Sequence, residues 1–327
     1  VQVPALRATP LLLSLLCICL LSAWFNLQVG SASIDILHAL QRPDTLEAHI
    51  LHQLRLPRMA TAFITGALLG VAGALMQVLL RNPLADPYIL GVSGGASVGA
   101  LLVIMAGGGG LLLQAGACGG ALLSTLLVFS LAHGRGSWHS TRLLLTGVVL
   151  AAGWGAVISL LLSLSPGSQV QGMLFWLMGD LSFAGTPLTG TLLLLALLPV
   201  SIALAPALNL LAGGELRAAA LGVAVARLRL TIYLLASLAT AAAVTQAGNI
   251  GFIGLLAPHM LRLAGARDYR TLLPGVGLLG GTLLMIADAL SRLVIAPRQL
   301  PVGVLTALLG VPVFLWLLFR ARHTSHD

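Results

Sequence analysis

Lysine is absent from all 327 residues, so each of the 17 basic side chains is an arginine, and charged residues of both signs make up only 8% of the chain. The missing lysine excludes a P-loop ATPase, whose phosphate loop uses a Lys to reach the terminal phosphates. Any ATP hydrolysis linked to this chain therefore belongs to another polypeptide. Cysteine is nearly missing too: Cys17, Cys19 and Cys118 all lie inside apolar runs. Without paired CxxC spacing they form no zinc or redox site. No acid–base pair, and no nucleophile beside a base, is evident, which argues against an intramembrane enzyme.

What fills the space is apolar. Hydrophobic residues are 58% of the chain and the mean hydropathy is +1.02, so lipid is the solvent for most of it. A net charge of +8 could suggest a nucleic-acid binder. The arginines, however, sit singly or in small groups at the ends of apolar runs, where charges orient spans, and form no continuous basic stripe. Nucleic acid is not an expected partner.

A membrane helix needs about 20 mostly apolar residues. The sequence predicts ten, near 10–30, 57–80, 88–107, 110–132, 141–163, 187–208, 228–247, 252–266, 273–294 and 301–320. The expected fold class is thus an all-α integral membrane protein in a single domain, 1–327. The run Leu11–Leu27 lacks a clear small-residue cleavage site and is read as the first permanent helix. The eighth span is short, so it should be buried among neighbours or lie along a water-filled path.

Arginine counts in alternating segments give direction. Arg7, Arg81, Arg135, Arg142, Arg217, Arg227, Arg229, Arg262, Arg267, Arg270, Arg320 and Arg322 fall on one side, against Arg42, Arg55, Arg58, Arg292 and Arg298 on the other. The richer side should be cytoplasmic, with both termini inside. The polar stretch Ser31–Gln53 is then an external surface loop. The stretch Asn209–Arg229, rich in helix formers and punctuated by Gly213, Gly214 and Gly222, should form two short helices at the cytoplasmic surface.

Gly66 with Gly70, and Gly91, Gly95 and Gly99, recur at helix spacing, as expected where membrane helices approach closely. Arg81-Asn82-Pro83-Leu84-Ala85-Asp86-Pro87 reads as a rigid turn. The segment 248–262, with glycines at 248, 251 and 254 and Pro258, reads as a bent, mobile element. His259 has no Cys, Asp or Glu at ligand spacing, so it reads as a helix-end residue and no metal site is expected. Asp288, four residues before Arg292, should pair with that arginine or with a helix-end backbone group.

Six motifs in one order carry a resemblance: RLPR at 55–58, GALLGVAGALMQVLLRNPLADPYILGVSGGASVGA, STRLLLTG at 140–147, FWLMGDL at 175–181, GNIGFIGLLAPHMLR and LPVGVLTALLGVPVFLWLL. Together they resemble the permease subunits of type II ABC importers for iron chelates and cobalamin, from about residue 10 to 320. The resemblance implies ten transmembrane helices with an inverted pseudo-repeat relating helices 2–5 to 7–10. It implies a homodimer of this chain in the bacterial inner membrane, two cytoplasmic ATPase subunits, a periplasmic substrate-binding protein, and no cofactor in the chain itself, ATP and Mg being used by the ATPase.

By position the resemblance implies further roles. The coupling helices map to 209–229, with Asn209, Glu215, Arg217 and Gly222 toward the ATPase. The binding protein would dock on Arg55, Arg58 and Arg292. The cytoplasmic gate would be Asn82, Leu84, Ser140 and Thr141, a role compatible with a rigid turn at 81–87. The implied cargo is an iron chelate, haem or a ferric siderophore, ahead of cobalamin, with a bare oxyanion last. An ion-coupled secondary transporter is the rival class; it would need intramembrane acids, and only Asp180 and Asp288 come near that description.

Overall fold

A computed structural model describes residues 8–30, 34–132, 140–183, 186–296 and 298–323, the side chains of 40, 140, 141, 183 and 317–323 excepted. Among the described residues every regular element is a helix. The helices are α1 (Ala8–Gln28), α2 (Ile36–Gln41), α3 (Leu46–Ile50), α4 (Leu56–Leu79), α5 (Val92–Met105), α6 (Leu111–Ala132), α7 (Ser140–Leu164), α8 (Gly167–Leu177), α9 (Leu188–Ala203), α10 (Ala205–Ala212), α11 (Glu215–Ala220), α12 (Val225–Ala247), α13 (Ile253–Leu263), α14 (Tyr269–Leu293) and α15 (Val302–His323). Six apolar helices are long enough to cross a bilayer, α9 and α10 form a further broken span bent by 60°, and α5, α13 and α15 are shorter apolar helices. Each lies where the sequence places one of the ten spans.

The core is α4, where every residue from Ile64 to Leu80 is buried. Lipid offers no hydrophobic drive between helices, so close backbone packing must hold them together. A Cβ on Gly66 would strike the carbonyl of Gly280, one on Gly70 that of Val276, and one on Gly73 that of Gly254. These glycines seat α14 and α13 directly on α4. In the same way Gly95 meets Gly120 and Gly99 meets Gly116, joining α5 to α6.

Two spans do not cross fully. With 14 and 11 residues, α5 and α13 extend roughly 21 and 16 Å at 1.5 Å per residue, against a hydrocarbon core of about 30 Å. Each starts at a left-handed residue, Gly91 (φ 71°) and Phe252 (φ 70°), after an irregular segment that dips into the bundle. The two segments enter from opposite ends and meet: the Tyr88 hydroxyl donates to the Ile250 carbonyl (2.9 Å) and accepts from the Ile250 N–H (3.1 Å). Irregular backbone at membrane depth needs such partners. Asp86 accepts the Tyr88 N–H (2.8 Å), and Ser124 donates to the Gly91 carbonyl (2.8 Å) while accepting from Trp154 Nε1 (2.9 Å).

Two local expectations change. Within the polar stretch read as a loop, residues 34–53 hold two short helices: Asp35 caps α2, Thr45 caps α3, and Ile36, Ala39, Ala48 and Leu51 close a small core under Leu27 and Leu56. Five residues of π-helix, Leu51–Arg55, then run straight into α4. The second change is α8, a helix beyond the ten spans that follows the α7 terminus. Neither shows an apolar period in the sequence, because α2 and α3 have only six and five residues and α8 opens on Gly167, Ser168, Gln169 and Gln171.

Candidate functional site

Functional side chains gather at the two ends of the bundle. At one end, α4 and α14 bring Arg58 and Arg292 onto Asp288, which is fully buried. Arg58 Nε lies 2.9 Å from Asp288 Oδ1, and Arg292 Nη2 lies 2.9 Å from Oδ2. Asn26 of α1 adds a donor to the same carboxylate at 3.2 Å. Arg292 also donates to the carbonyls of Val29 and Asn26, and Arg55 to those of Leu27 and Gln28, so the guanidinium groups collect the free C-terminal carbonyls of α1. The sequence expectation paired Asp288 with Arg292 or with backbone. The structure gives it Arg292, and adds Arg58 from 230 positions away in the chain.

These arginines line a cavity of about 410 Å³ together with Gln53, Ser182 and Gln299. Among the described residues no acidic side chain lines it, and Asp288 lies beneath, shared by Arg58 and Arg292. The guanidinium charges border the cavity, where a low-dielectric wall strengthens their field. Only Arg58 keeps notable exposure, 18% of its side chain; Arg55 and Arg292 present their groups from the wall. The three arginines of the sequence reading thus stand together, though held by the fold rather than extended into solvent.

At the other end, Pro206 starts α10 after the bend, and Gly214 (φ 120°) and Gly222 (φ 84°) bracket α11. Glu215 does not project freely, because it forms an ion pair with Arg229 of α12. Asn209 turns inward: its side-chain amide donates to Asp268 Oδ1 (2.7 Å), and its carbonyl oxygen accepts the Tyr269 N–H (3.0 Å). Those bonds, Asn209 first and the Arg270 N–H second, hold the Asp268 carboxyl below the usual carboxylate range. What does project is Arg217, together with Leu216 at 90% and Leu221 at 59% exposure. The two leucines escaped the sequence reading, although apolar residues flanking an arginine on a six-residue helix between glycines were a visible signal.

Beside them, Asn82 accepts the Leu84 N–H (2.9 Å) and fixes the turn after α4, leaving Leu84 40% exposed. The same segment abuts α7, since Gly147 packs on the carbonyl of Ile89. Ser140 and Thr141 begin α7, and their side chains lie outside the described residues. His259 stands edge-on to Phe314 (6.1 Å), and its Nε2 has no hydrogen-bond partner. Among the described residues no group of His, Cys, Asp or Glu is placed to hold a metal ion.

A multi-pass helical bundle with broken central spans, a cationic cavity at one end and a projecting short helix at the other is the architecture of a membrane permease subunit. Residues 12–320 match the FecCD transport family, and the chain belongs to it. It is 40% identical over 310 residues to the hemin transport system permease protein HmuU of Yersinia pestis, covering 90% of this chain and 92% of that protein. It is 41% identical over 276 residues to the vitamin B12 import system permease protein BtuC of Escherichia coli O9:H4 (strain HS), covering 83% of each. A solved chain described as an inward-facing metal-chelate type ABC transporter superposes with a TM-score of 0.86 at 30% identity, covering 95% of this chain and 99% of that one.

Proposed function

We propose that this chain is the transmembrane permease subunit of an ABC importer that carries an iron chelate, haem or a ferric siderophore, across the inner membrane. The observation that carries the reading is the division of chemistry between the ends: a cavity walled by Arg55, Arg58 and Arg292 at one, and exposed Leu216 and Arg217 at the other. The arginine cluster suits acidic side chains on a periplasmic binding protein and would govern the rate and orientation of docking more than its strength. Leu216, Arg217 and Gly222 suit a groove in a cytoplasmic ATPase, with Asn209 and Glu215 bracing the docking segment from behind. Both termini are then cytoplasmic.

Two copies of the chain enclose the path, with two ATPase subunits that use ATP and Mg. Gly153 and Gly155 of α7 have no neighbouring atom within 4 Å of where a Cβ would stand, which supports α7 as a surface that a second copy approaches closely. Asn82 and Leu84, with Ser140 and Thr141 at the start of α7, would narrow the cytoplasmic exit. A nucleotide state can switch the open end only by differing in its contacts with α10 and α11.

Haem or a siderophore ranks first because the match to the hemin permease covers more of the chain; the equal identity to the B12 permease keeps cobalamin as the second reading. An ion-coupled transporter is disfavoured because each oxygen of Asp288 is already taken by an arginine, one by Arg58 and one by Arg292. The test is co-expression with the ATPase. A complex of two permeases and two ATPases, whose hydrolysis rises with haem-loaded binding protein, supports the reading. A permease that purifies alone and transports without ATP refutes it.

A further inference from the structure

Between the docking segment and the core lies a chain of hydrogen bonds that the proposed roles do not use. Asn209 of α10 binds Asp268 and the Tyr269 N–H, capping the start of α14. The Tyr269 hydroxyl accepts from Arg262 Nη2 of α13 (3.2 Å). Arg262 Nη1 donates to Gln77 Oε1 of α4, and Gln77 Nε2 donates back to the Leu255 carbonyl of α13 (3.3 Å). Gln77 and Tyr269 are both 3% exposed. The cluster forms one wall of a cleft of about 260 Å³ that also reaches Arg81, Asn82 and Ala212, which places the gate turn and the end of α10 on the same opening.

The other end of α13 is tied as well. Ile250, just before it, holds Tyr88, whose segment leads through Gly91 and Ser124 to Trp154 on α7. A helix of 11 residues fixed at both ends moves as a unit, and it touches both neighbours directly: Gly73 of α4 packs on its Gly254 carbonyl, and Gly254 packs on the ring of Pro87 at the end of the gate turn. We infer that α13 is the lever of the transporter, and that Gln77, Arg262 and Tyr269 are positioning residues that pass displacement of α10 to the gate turn and to α7. The inference rests on the importer reading, in which α10 and α11 meet the ATPase. Arg262 suits the task because its planar fork holds two acceptors on two helices at once, which a point charge could not do.

The test uses the permease–ATPase complex in proteoliposomes with loaded binding protein, measuring cargo moved per ATP hydrolysed, together with the melting temperature of each complex. Tyr269→Phe removes one hydroxyl and Gln77→Leu one amide, whereas Gln77→Glu keeps an acceptor for Arg262. Site-to-site couplings are commonly worth about 5–150-fold. Tyr269→Phe and Gln77→Leu are therefore expected to lower the cargo-to-ATP ratio at least about five-fold, with Gln77→Glu close to wild type. An unchanged ratio in the first two overturns the inference. So does an equal fall of uptake and hydrolysis that tracks a lowered melting temperature in all three, because that pattern marks a packing role alone. ATP-independent uptake by the wild-type complex would instead overturn the importer reading, and the lever with it.

Discussion

Replacing Asp288 by alanine removes the one carboxylate beneath two guanidinium groups whose side chains are 18% and 7% exposed. At an effective dielectric of ~20, a charge pair near 4 Å interacts by about 4 kcal/mol, and truncating one partner of a buried pair costs about 3–5 kcal/mol because the remaining charges stay uncompensated. Arg58 and Arg292 would then repel across the same cavity, and Asn26 would lose an acceptor. At roughly 2 °C per kcal/mol for a chain of this size, the melting temperature in detergent should fall by about 6–10 °C. Tryptophan fluorescence on a thermal ramp reads it. The triple replacement Arg58→Met, Asp288→Leu and Arg292→Met removes the charges together and should recover most of the loss, as buried ion pairs replaced by apolar groups commonly do. An Asp288→Ala melting temperature within about 1 °C of wild type would refute the reasoning, since no uncompensated charge of this kind is that cheap.

Gly73→Ala drives a Cβ into the Gly254 carbonyl and should lower stability by about 1–3 kcal/mol or more, whereas Gly155→Ala, with nothing within 4 Å, should leave the melting temperature of the isolated permease unchanged. Arg217→Glu reverses an exposed charge and should weaken ATPase co-purification roughly ten-fold without shifting the melting temperature; retention of full binding would remove Arg217 from the docking surface. The depressed pKa of Asp268 means its contribution is complete above the ordinary carboxylate range, near 3.9, and is lost as pH falls through the lower folded value. Hydrogen exchange at the Tyr269 and Arg270 amides should therefore accelerate, beyond the intrinsic pH effect, only in strong acid, and Asn209→Ala should move that onset to higher pH; an onset unmoved by the substitution contradicts the role of Asn209.

The sequence made most of the spans legible because they rest on runs of some 20 apolar residues, a signal that lipid demands and tertiary packing does not alter. The glycine pairs were legible for a related reason: i, i+4 spacing puts Gly66 and Gly70 on one helix face whatever that face meets. What it meets, Gly280 and Val276 of α14, lies some 200 residues away and leaves no local trace. Asp288 shows the same division. Its neighbour Arg292 stands one helical turn along, while Arg58 reaches it only through the packing of α4 on α14. The inward turn of Asn209 was hidden because an Asn before two glycines reads equally well as an exposed turn residue or a cap. His259 departs from the hydrogen-bonded helix-end reading: it lies within α13, edge-on to Phe314, and its Nε2 has no hydrogen-bond partner, because the ring it meets belongs to α15 some 50 residues away.

Uptake into vesicles holding two copies of this chain and its ATPase, supplied with ATP and with binding protein loaded in turn with haem, a ferric siderophore or cobalamin, tests the central claim most directly. The account predicts ATP-dependent uptake of haem or a ferric siderophore that disappears when Arg55, Arg58 and Arg292 are replaced together or when ATP is withheld. Uptake that persists without ATP, or none with any of the three cargoes, would contradict it.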